Sequence, residues 1–537
     1  MSRIARYRGR SRFAFPLALV LSLLLLAPSA LLAQESSPEA GAGGTLIGGF
    51  DVGPGGAPEV FNPLIATAGL TWLELYFSKL LVYDVDFTAL QGELAESWEV
   101  SDHGLLYTIT LNDGITWHDG EAFTADDVKF TLDLVLNPEA GSFLAAKLAS
   151  VASVDVVDDL TATLTLSEPN AALLDALTFI VMLPQHALAE VPPAELLQSA
   201  WWSTEPIGTG PFQWGEYVPG EYVELTAYED YWKGRPQLDG VINRYFAEPG
   251  AAVIALRSGE IDFTYVTSDE VAAMDGEPGL TAIAGPSQVI NYLGFNMQDP
   301  RFEDVRVRQA FMYAIDRAAI VEQLYAGSAT LANCAYTLPA YVPDDLNTYE
   351  PNLDTARQLL TEAGWEEIQG EPIEILTYYS DQLSADVLVT IQQMLADAGI
   401  EATLRTVDVP TFNQIMTTPE EWVTFYGGGG NGPDPDIMST NYVSTLTPPA
   451  GFNRTYVNIP ELDELYAEGR AVADPDERAA VYQDACRVMN EQVPWAYMWV
   501  GERYGVITDR VTNFTWTPAP GGGRYDQQAH EWTVAGD

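Results

Sequence analysis

The sequence predicts an α/β protein built from more than one domain. Three observations carry this. The chain has 537 residues, whereas a single core rarely grows past roughly 250–300. Hydrophobic residues make up 47% and charged residues 19%, enough to bury large cores and too apolar for a disordered polymer. Along the body of the chain, period-two and helical hydrophobic patterns alternate, and strands alternating with helices define the α/β class.

The N-terminus comes first. Arg3, Arg6, Arg8, Arg10 and Arg12 precede an apolar run from Phe13 to Leu26, broken at Pro28 and ending in Ala30-Leu-Leu-Ala33. This is the layout of a secretory signal over residues 1–33, cleaved after Ala33. The alternative, an uncleaved anchor, is disfavoured because the run is barely long enough to span and contains Pro16 and Pro28. No cysteine lies near the cleavage region, so a lipid-attachment signal is missing. The expected location is therefore periplasmic or extracellular. Residues 34–44 read as a flexible tether.

Thr45–Phe50 reads as a first strand and Gly53–Gly56 as a loop. Leu70–Val82 reads as a helix, with Leu70, Leu73, Phe77 and Leu80 on one face. Leu106–Leu111 alternates as a half-buried strand does, and Asn112-Asp-Gly114 is expected to turn it back as a hairpin onto Ile115–Trp117. Thr124 caps a helix with Asp126 and Asp127 in its first turn and Val128, Leu132 and Val135 as its buried stripe. Thr161–Leu166 is a second alternating run, and Tyr222–Thr226 is a strand after the turn-rich Pro206–Phe212. Further on, a helical pair spans Asp304–Gly327. Helices Thr355–Ala363 and Ala385–Ala398 flank strand Ile373–Tyr379, and strand Glu401–Val407 leads to helix Thr411–Met416. Pro460–Glu468 and Glu477–Gln492 are the last long helices.

Charge narrows the function. Acids outnumber bases 76 to 25, for a formal net charge of −51. Loss of residues 1–33 removes five arginines and no acid. A nucleic-acid partner is excluded on this ground, because phosphate binding needs a basic surface. Four histidines and two cysteines leave little for a metal site. No cofactor motif occurs: the run Gly427–Gly430 lacks the Lys-Ser/Thr of a phosphate loop. No nucleophile elbow, zincin helix or triad spacing points to catalysis. An exported hydrolase remains the enzyme alternative, since acids and tryptophans are plentiful.

Several stretches then become recognisable. The longest runs from Leu94 to Val128 and contains Trp117-His-Asp-Gly120. Others are Gly208-Thr-Gly-Pro-Phe212, Tyr231-Trp-Lys-Gly-Arg-Pro236, Leu256–Asp262, Val305–Ala310 with Ala314–Arg317, and Ala356–Gly364. In this order they resemble solute-binding protein family 5, the secreted oligopeptide-, dipeptide- and nickel-binding receptors of ABC importers. The resemblance implies a two-lobed periplasmic-binding-protein-like fold with mixed sheets and a hinge between the lobes. Lobe one would comprise residues 45–88, 203–296 and 497–537, with an inserted subdomain at 89–202. Lobe two would be residues 297–496. A monomer would capture a peptide or another small molecule, close around it and present it to the membrane permease. His118 then reads as a turn and packing residue.

The resemblance also suggests a ligand site. In peptide-binding members an aspartate pairs with the ligand's α-ammonium, just before an acidic–Pro turn. Taking Asp434-Pro435 as that turn places the ammonium position at Asn431 and a tryptophan position at Gly428. Asparagine brings no charge, and a buried ammonium would lose a charge-assisted bond of roughly 1.5–3 kcal/mol. Asp434 or Asp436 could supply the missing charge. Glycine at 428 should open the cleft wall, which would suit a bulkier uncharged ligand such as an oligosaccharide. Trp422, Tyr426, Tyr378, Tyr379, Asn291 and Phe295 complete the expected wall. Cys334 and Cys486 would share lobe two. In a secreted protein that favours a disulfide, the alternative being two free thiols.

Overall fold

The structure, a computed structural model, describes residues 43–51, 61–65, 70–85, 87, 89–101, 103–196, 199–248, 250–274, 276–430, 432–448, 451–515 and 528–535. The expected signal peptide, the tether up to residue 42, the loop at 53–56 and Asn431 lie outside the described residues.

One mixed sheet forms the frame. Its strands lie in the order Ala402–Thr406, Ile373–Thr377, Thr424–Gly430, Leu280–Phe295, Trp495–Thr508, Phe263–Val266, Thr45–Asp51, Gly240–Phe246, Tyr222–Ala227 and Phe212–Val218. The first strand pairs in parallel with Gly240–Phe246, through Thr45↔Gly240 to Asp51↔Phe246. At the other end, Ile373–Thr377 runs parallel to both of its neighbours. The two long central strands, Leu280–Phe295 and Trp495–Thr508, are antiparallel and pass from one half of the sheet to the other. Their register shifts between Pro286 and Ile290, where Glu502 and Val500 are the partners. Within that bulge Gln288 has φ 54°, a left-handed conformation that is uncommon outside glycine.

The halves have separate cores. In the first, Phe61, Tyr76, Trp117, Leu132, Leu164, Phe212, Leu225 and Trp532 are buried together. A four-stranded sheet, ordered Ala95–Val100, Leu106–Leu111, Thr161–Leu166 and Val151–Asp158, is packed into this core with helix Ala125–Leu136. In the second half, strand alternation sends neighbouring residues to opposite faces. Leu293, Ile375 and Tyr426 enter one core with helix residues Phe311 and Ile391. Tyr292, Leu376 and Phe425 enter the other with Tyr482 and Trp495. The halves also touch: the N–H of Ala171 donates to the carbonyl of Arg470 at 2.8 Å. Cys334 and Cys486 are joined by a disulfide with 5.4 Å between their α-carbons.

Two local expectations fail. Residues 70–82 do not form one helix; a 3-10 turn at Leu70–Leu75 is followed by strand Leu81–Tyr83. Leu73, Leu75, Tyr76, Phe77, Leu80 and Leu81 are all buried, so from Leu73 on the chain threads the core and lacks the solvent face that sustains an amphipathic helix. Nor does Leu106–Leu111 form a hairpin with Ile115–Trp117. Both of its edges are already occupied, by Ala95–Val100 and Thr161–Leu166. Asn112 instead ties the turn back, its side-chain amide donating to the carbonyl of Glu93 at 2.9 Å.

The motif residues explain themselves structurally. Asp127 accepts from the N–H of Thr124 at 3.0 Å, from the N–H of Gln185 at 2.9 Å and from the indole of Trp117 at 3.2 Å. Gly208 donates its N–H to His118 Nδ1 at 3.1 Å, so the proton lies on Nε2, which donates to the carbonyl of Gly210 at 3.0 Å. Burial of this neutral ring lowers its pKa to about 4. His118 is thus the clamp that holds Gly208-Thr-Gly210.

Candidate functional site

Parallel strands place ligands at their carboxyl ends, because the chain leaves the sheet there and opens a crevice. Three parallel strands of the second half lie side by side; two end at Thr377 and Thr406, and the third continues past them from Tyr426 to Gly430. Against these ends lies a cavity of about 480 Å³. Tyr378, Phe412, Phe425, Trp495 and Tyr292 give it aromatic walls, and Gly427–Gly429 form its floor. Tyr292 and Trp495 stack with centroids 3.8 Å apart and an interplanar angle of 9°. The Trp495 indole is held by Thr455, whose hydroxyl accepts its N–H at 3.0 Å. Val409 and Phe452, 51% and 60% exposed, stand at the mouth.

Asn413, Thr440, Asn441 and Arg454 supply polar groups. Arg454 is half-buried and donates from Nη1 to Asn413 Oδ1 at 2.9 Å. Its guanidinium also lies over the Phe452 ring, 5.7 Å from the centroid. Desolvation lowers its pKa. Among the described residues, no group of three or more His, Cys, Asp or Glu side chains could hold a metal.

The expected wall residues divide into three groups. Tyr378 and Gly428 line the cavity. Gly428 leaves no gap, however: the Tyr379 hydroxyl occupies the place where its β-carbon would sit, with Val289 Cγ1 2.7 Å from that point. The glycine makes room for Tyr379, not for ligand volume. Asn291, opposite Gly428 in the strand pairing, accepts from the Tyr426 hydroxyl at 3.4 Å. The second group is core. Phe295 is fully buried against Phe302 and Phe311, and Trp422 is buried behind Phe425 with centroids 5.6 Å apart. Tyr426 is buried in the core on the opposite sheet face from Phe425.

Asp434 and Asp436 form the third group, and neither is a free anion. Arg478 Nη1 and Nη2 bond Asp434 at 2.7 and 2.8 Å. Arg470 Nε bonds Asp436 at 2.9 and 3.0 Å, and the Tyr482 hydroxyl donates to it at 3.1 Å. Burial raises the Asp436 pKa to about 6. These carboxylates are committed to arginines of the two long helices that follow.

Tyr292, Phe412, Phe425, Arg454 and Trp495 were not singled out from sequence. One signal was available for Arg454: no acidic residue occurs between Asp436 and Glu461, so it has no acid nearby in sequence. The aromatics come from separate strands and helices, and their convergence has no local signature.

Two lobes, a sheet bridged by paired crossing strands and an aromatic cavity at the strand ends define a ligand-binding protein of the two-lobed receptor class. The sequence profile described as "Bacterial extracellular solute-binding proteins, family 5 Middle" matches residues 89–447. The chain belongs to this family, as a solute-binding receptor for an ABC importer. A Brucella melitensis protein with the provisional name ABC transporter peptide-binding protein is 48% identical over 498 residues, covering 92% of this chain and 94% of that one. The oligopeptide-binding protein AppA of Bacillus subtilis is 27% identical over 517 residues, covering 93% and 95%. Its structure in complex with a nonapeptide superimposes with a TM-score of 0.78 at 26% identity, over 93% of this chain and 100% of that chain. The ABC transporter substrate-binding protein CtaP of Listeria monocytogenes gives 0.83 at 27% identity, over 92% and 100%. The family binds substrates and is not catalytic. Among the described residues, no helix is long and apolar enough to cross a membrane.

Proposed function

We propose that the mature protein is an exported monomer that captures a peptide between its lobes, closes over it and delivers it unaltered to a membrane permease. Residues 1–33 direct export. Lobe one comprises 45–88, 203–296 and 497–537 with the subdomain 89–202, and lobe two comprises 297–496. The hinge is the bulged stretch from Pro286 to Ile290 facing Val500–Glu502. The observation that carries the reading is the aromatic cavity at the strand ends, in a chain that aligns over most of its length with peptide-binding relatives. A peptide offers backbone amides to the polar rim and side chains to Tyr378, Phe412 and Trp495.

The test is isothermal calorimetry with defined tri- to nonapeptides, with mass spectrometry of the peptide after incubation. Stoichiometric binding with the peptide recovered intact is expected. Hydrolysis of the peptide, or binding of oligosaccharides in preference to every peptide, would overturn the reading.

A further inference from the structure

The charge of the cavity is opposite to that of the protein. The chain carries a formal −51, yet none of the described residues lining the cavity is acidic, and its one charged side chain is Arg454. Seven other arginines are neutralised: Arg235, Arg257, Arg301, Arg306, Arg470, Arg478 and Arg487 each pair with a carboxylate within 3.0 Å. Among the described residues Arg454 has no carboxylate partner; its single hydrogen bond to Asn413 leaves most of its N–H donors free. A second group points the same way. Tyr292 is 7% exposed and lines the cavity, and its hydroxyl has no hydrogen-bond partner among the described residues. Tyr292, Tyr378 and Arg454 all line this one cavity.

We infer that this cavity is a subsite for an anionic group of the ligand, a carboxylate held by Arg454 and the Tyr292 hydroxyl while its stem packs between the aromatic walls. The inference rests on the peptide-receptor reading and deepens it. A desolvated guanidinium with free N–H donors gains a charge-assisted bond when a carboxylate enters, and the planar fork suits two oxygens. The surrounding negative field repels anions in general, so an acid is accepted only where a local cation outweighs that field. Cationic side chains are excluded from the subsite by the same arginine. The carboxylate has two sources in a peptide, an acidic side chain or the C-terminus, and both present the same group.

The probes are four pentapeptides: Ala-Ala-Glu-Ala-Ala, its Gln counterpart, and the C-terminal amide of each. Calorimetry on the wild-type protein should show one carboxylate bound at least about ten-fold more tightly than its neutral isostere. The Glu–Gln pair reports a side-chain source and the acid–amide pair a terminal one. In Arg454→Gln that ratio should fall to near one while affinity for the fully neutral peptide changes less. Tyr292→Phe, which deletes only the free hydroxyl, should lower the ratio without unfolding the protein. An Arg454→Gln protein that keeps the ratio, or a wild-type protein that shows none, overturns the inference while leaving the receptor reading intact. If no pentapeptide binds, the peptide reading fails separately. Native mass spectrometry of cargo co-purified with wild type and Arg454→Gln then decides. A carboxylate-bearing cargo lost in the variant supports the subsite, and identical or neutral cargo in both refutes it.

Discussion

Replacing Asp434 by asparagine separates a structural carboxylate from a ligand-binding one. The Asp434 and Arg478 side chains are 8% and 9% exposed, and two bonds of 2.7 and 2.8 Å join them. The remaining partners are few: Arg478 Nε donates to the carbonyl of Gly469 at 2.9 Å, and Asp434 accepts the N–H of Asp436 at 2.8 Å. Asparagine keeps the second of these contacts and removes the charge, so a guanidinium is left buried without its anion. Breaking such a pair costs about 3–5 kcal/mol, and retention of the turn contact puts Asp434→Asn near the lower figure. For a lobe of this size that lowers the unfolding midpoint by about 6–12 °C. Differential scanning calorimetry reads the shift directly. A companion variant that removes both partners, Asp434→Leu with Arg478→Met, should recover much of the loss because no uncompensated charge remains. Peptides with free and acetylated N-termini should bind the folded Asp434→Asn protein in the same ratio as they bind wild type. An unchanged midpoint, together with selective loss of free-amine peptides, would refute the reasoning and return Asp434 to the ligand.

Other consequences are more local. The Cys334–Cys486 bond spans a sequence separation of 152 residues, so replacing both cysteines by serine should cost roughly 3–5 kcal/mol in denaturant unfolding. His118 has its pKa lowered to about 4 from 6.5, so the unfolded chain takes up the proton first as pH falls. The stability this ring contributes is complete above pH 6.5, is lost as pH falls through about 4, and amounts to at most about 3 kcal/mol. His118→Asn should flatten the unfolding profile in that window. Phe452, exposed at the cavity mouth, should weaken peptide binding several-fold when changed to serine and move stability by no more than about 0.5 kcal/mol.

Much of the fold was legible because its signals are local. Thr124 and Asp127 announce the start of a helix, and Ile373–Thr377 and Ala402–Thr406 formed strands where β-prone runs were bounded by turns. The Leu94–Val128 motif is legible for the same reason: its Trp117, His118 and Asp127 build one hydrogen-bonded corner. Residues 70–82 were misread because the stretch from Leu73 to Val82 is almost wholly buried and has no period to betray its conformation. The site was harder. Tyr292, Tyr378, Phe412, Arg454 and Trp495 meet only because the sheet order brings remote strands together. Gly428 looked like a vacancy, but its space belongs to Tyr379 on the neighbouring strand's extension. Asp434 looked like a free anion, but its partner lies 44 positions further along the chain.

Closure of the lobes around the ligand is the central claim, and distance measurement across the cleft tests it most directly. Val157 and Val389 are 62% and 57% exposed, one on strand Val151–Asp158 of the first half and the other on helix Gln382–Ala398 of the second. Both native cysteines are bonded, so Val157→Cys with Val389→Cys can be labelled selectively for single-molecule energy transfer. The Ala171–Arg470 contact joins the two halves in the structure, so saturating peptide should move the population to one high-transfer state while the free protein samples a lower-transfer one. An identical transfer distribution with and without peptide, under conditions where calorimetry shows the peptide bound, would contradict the account.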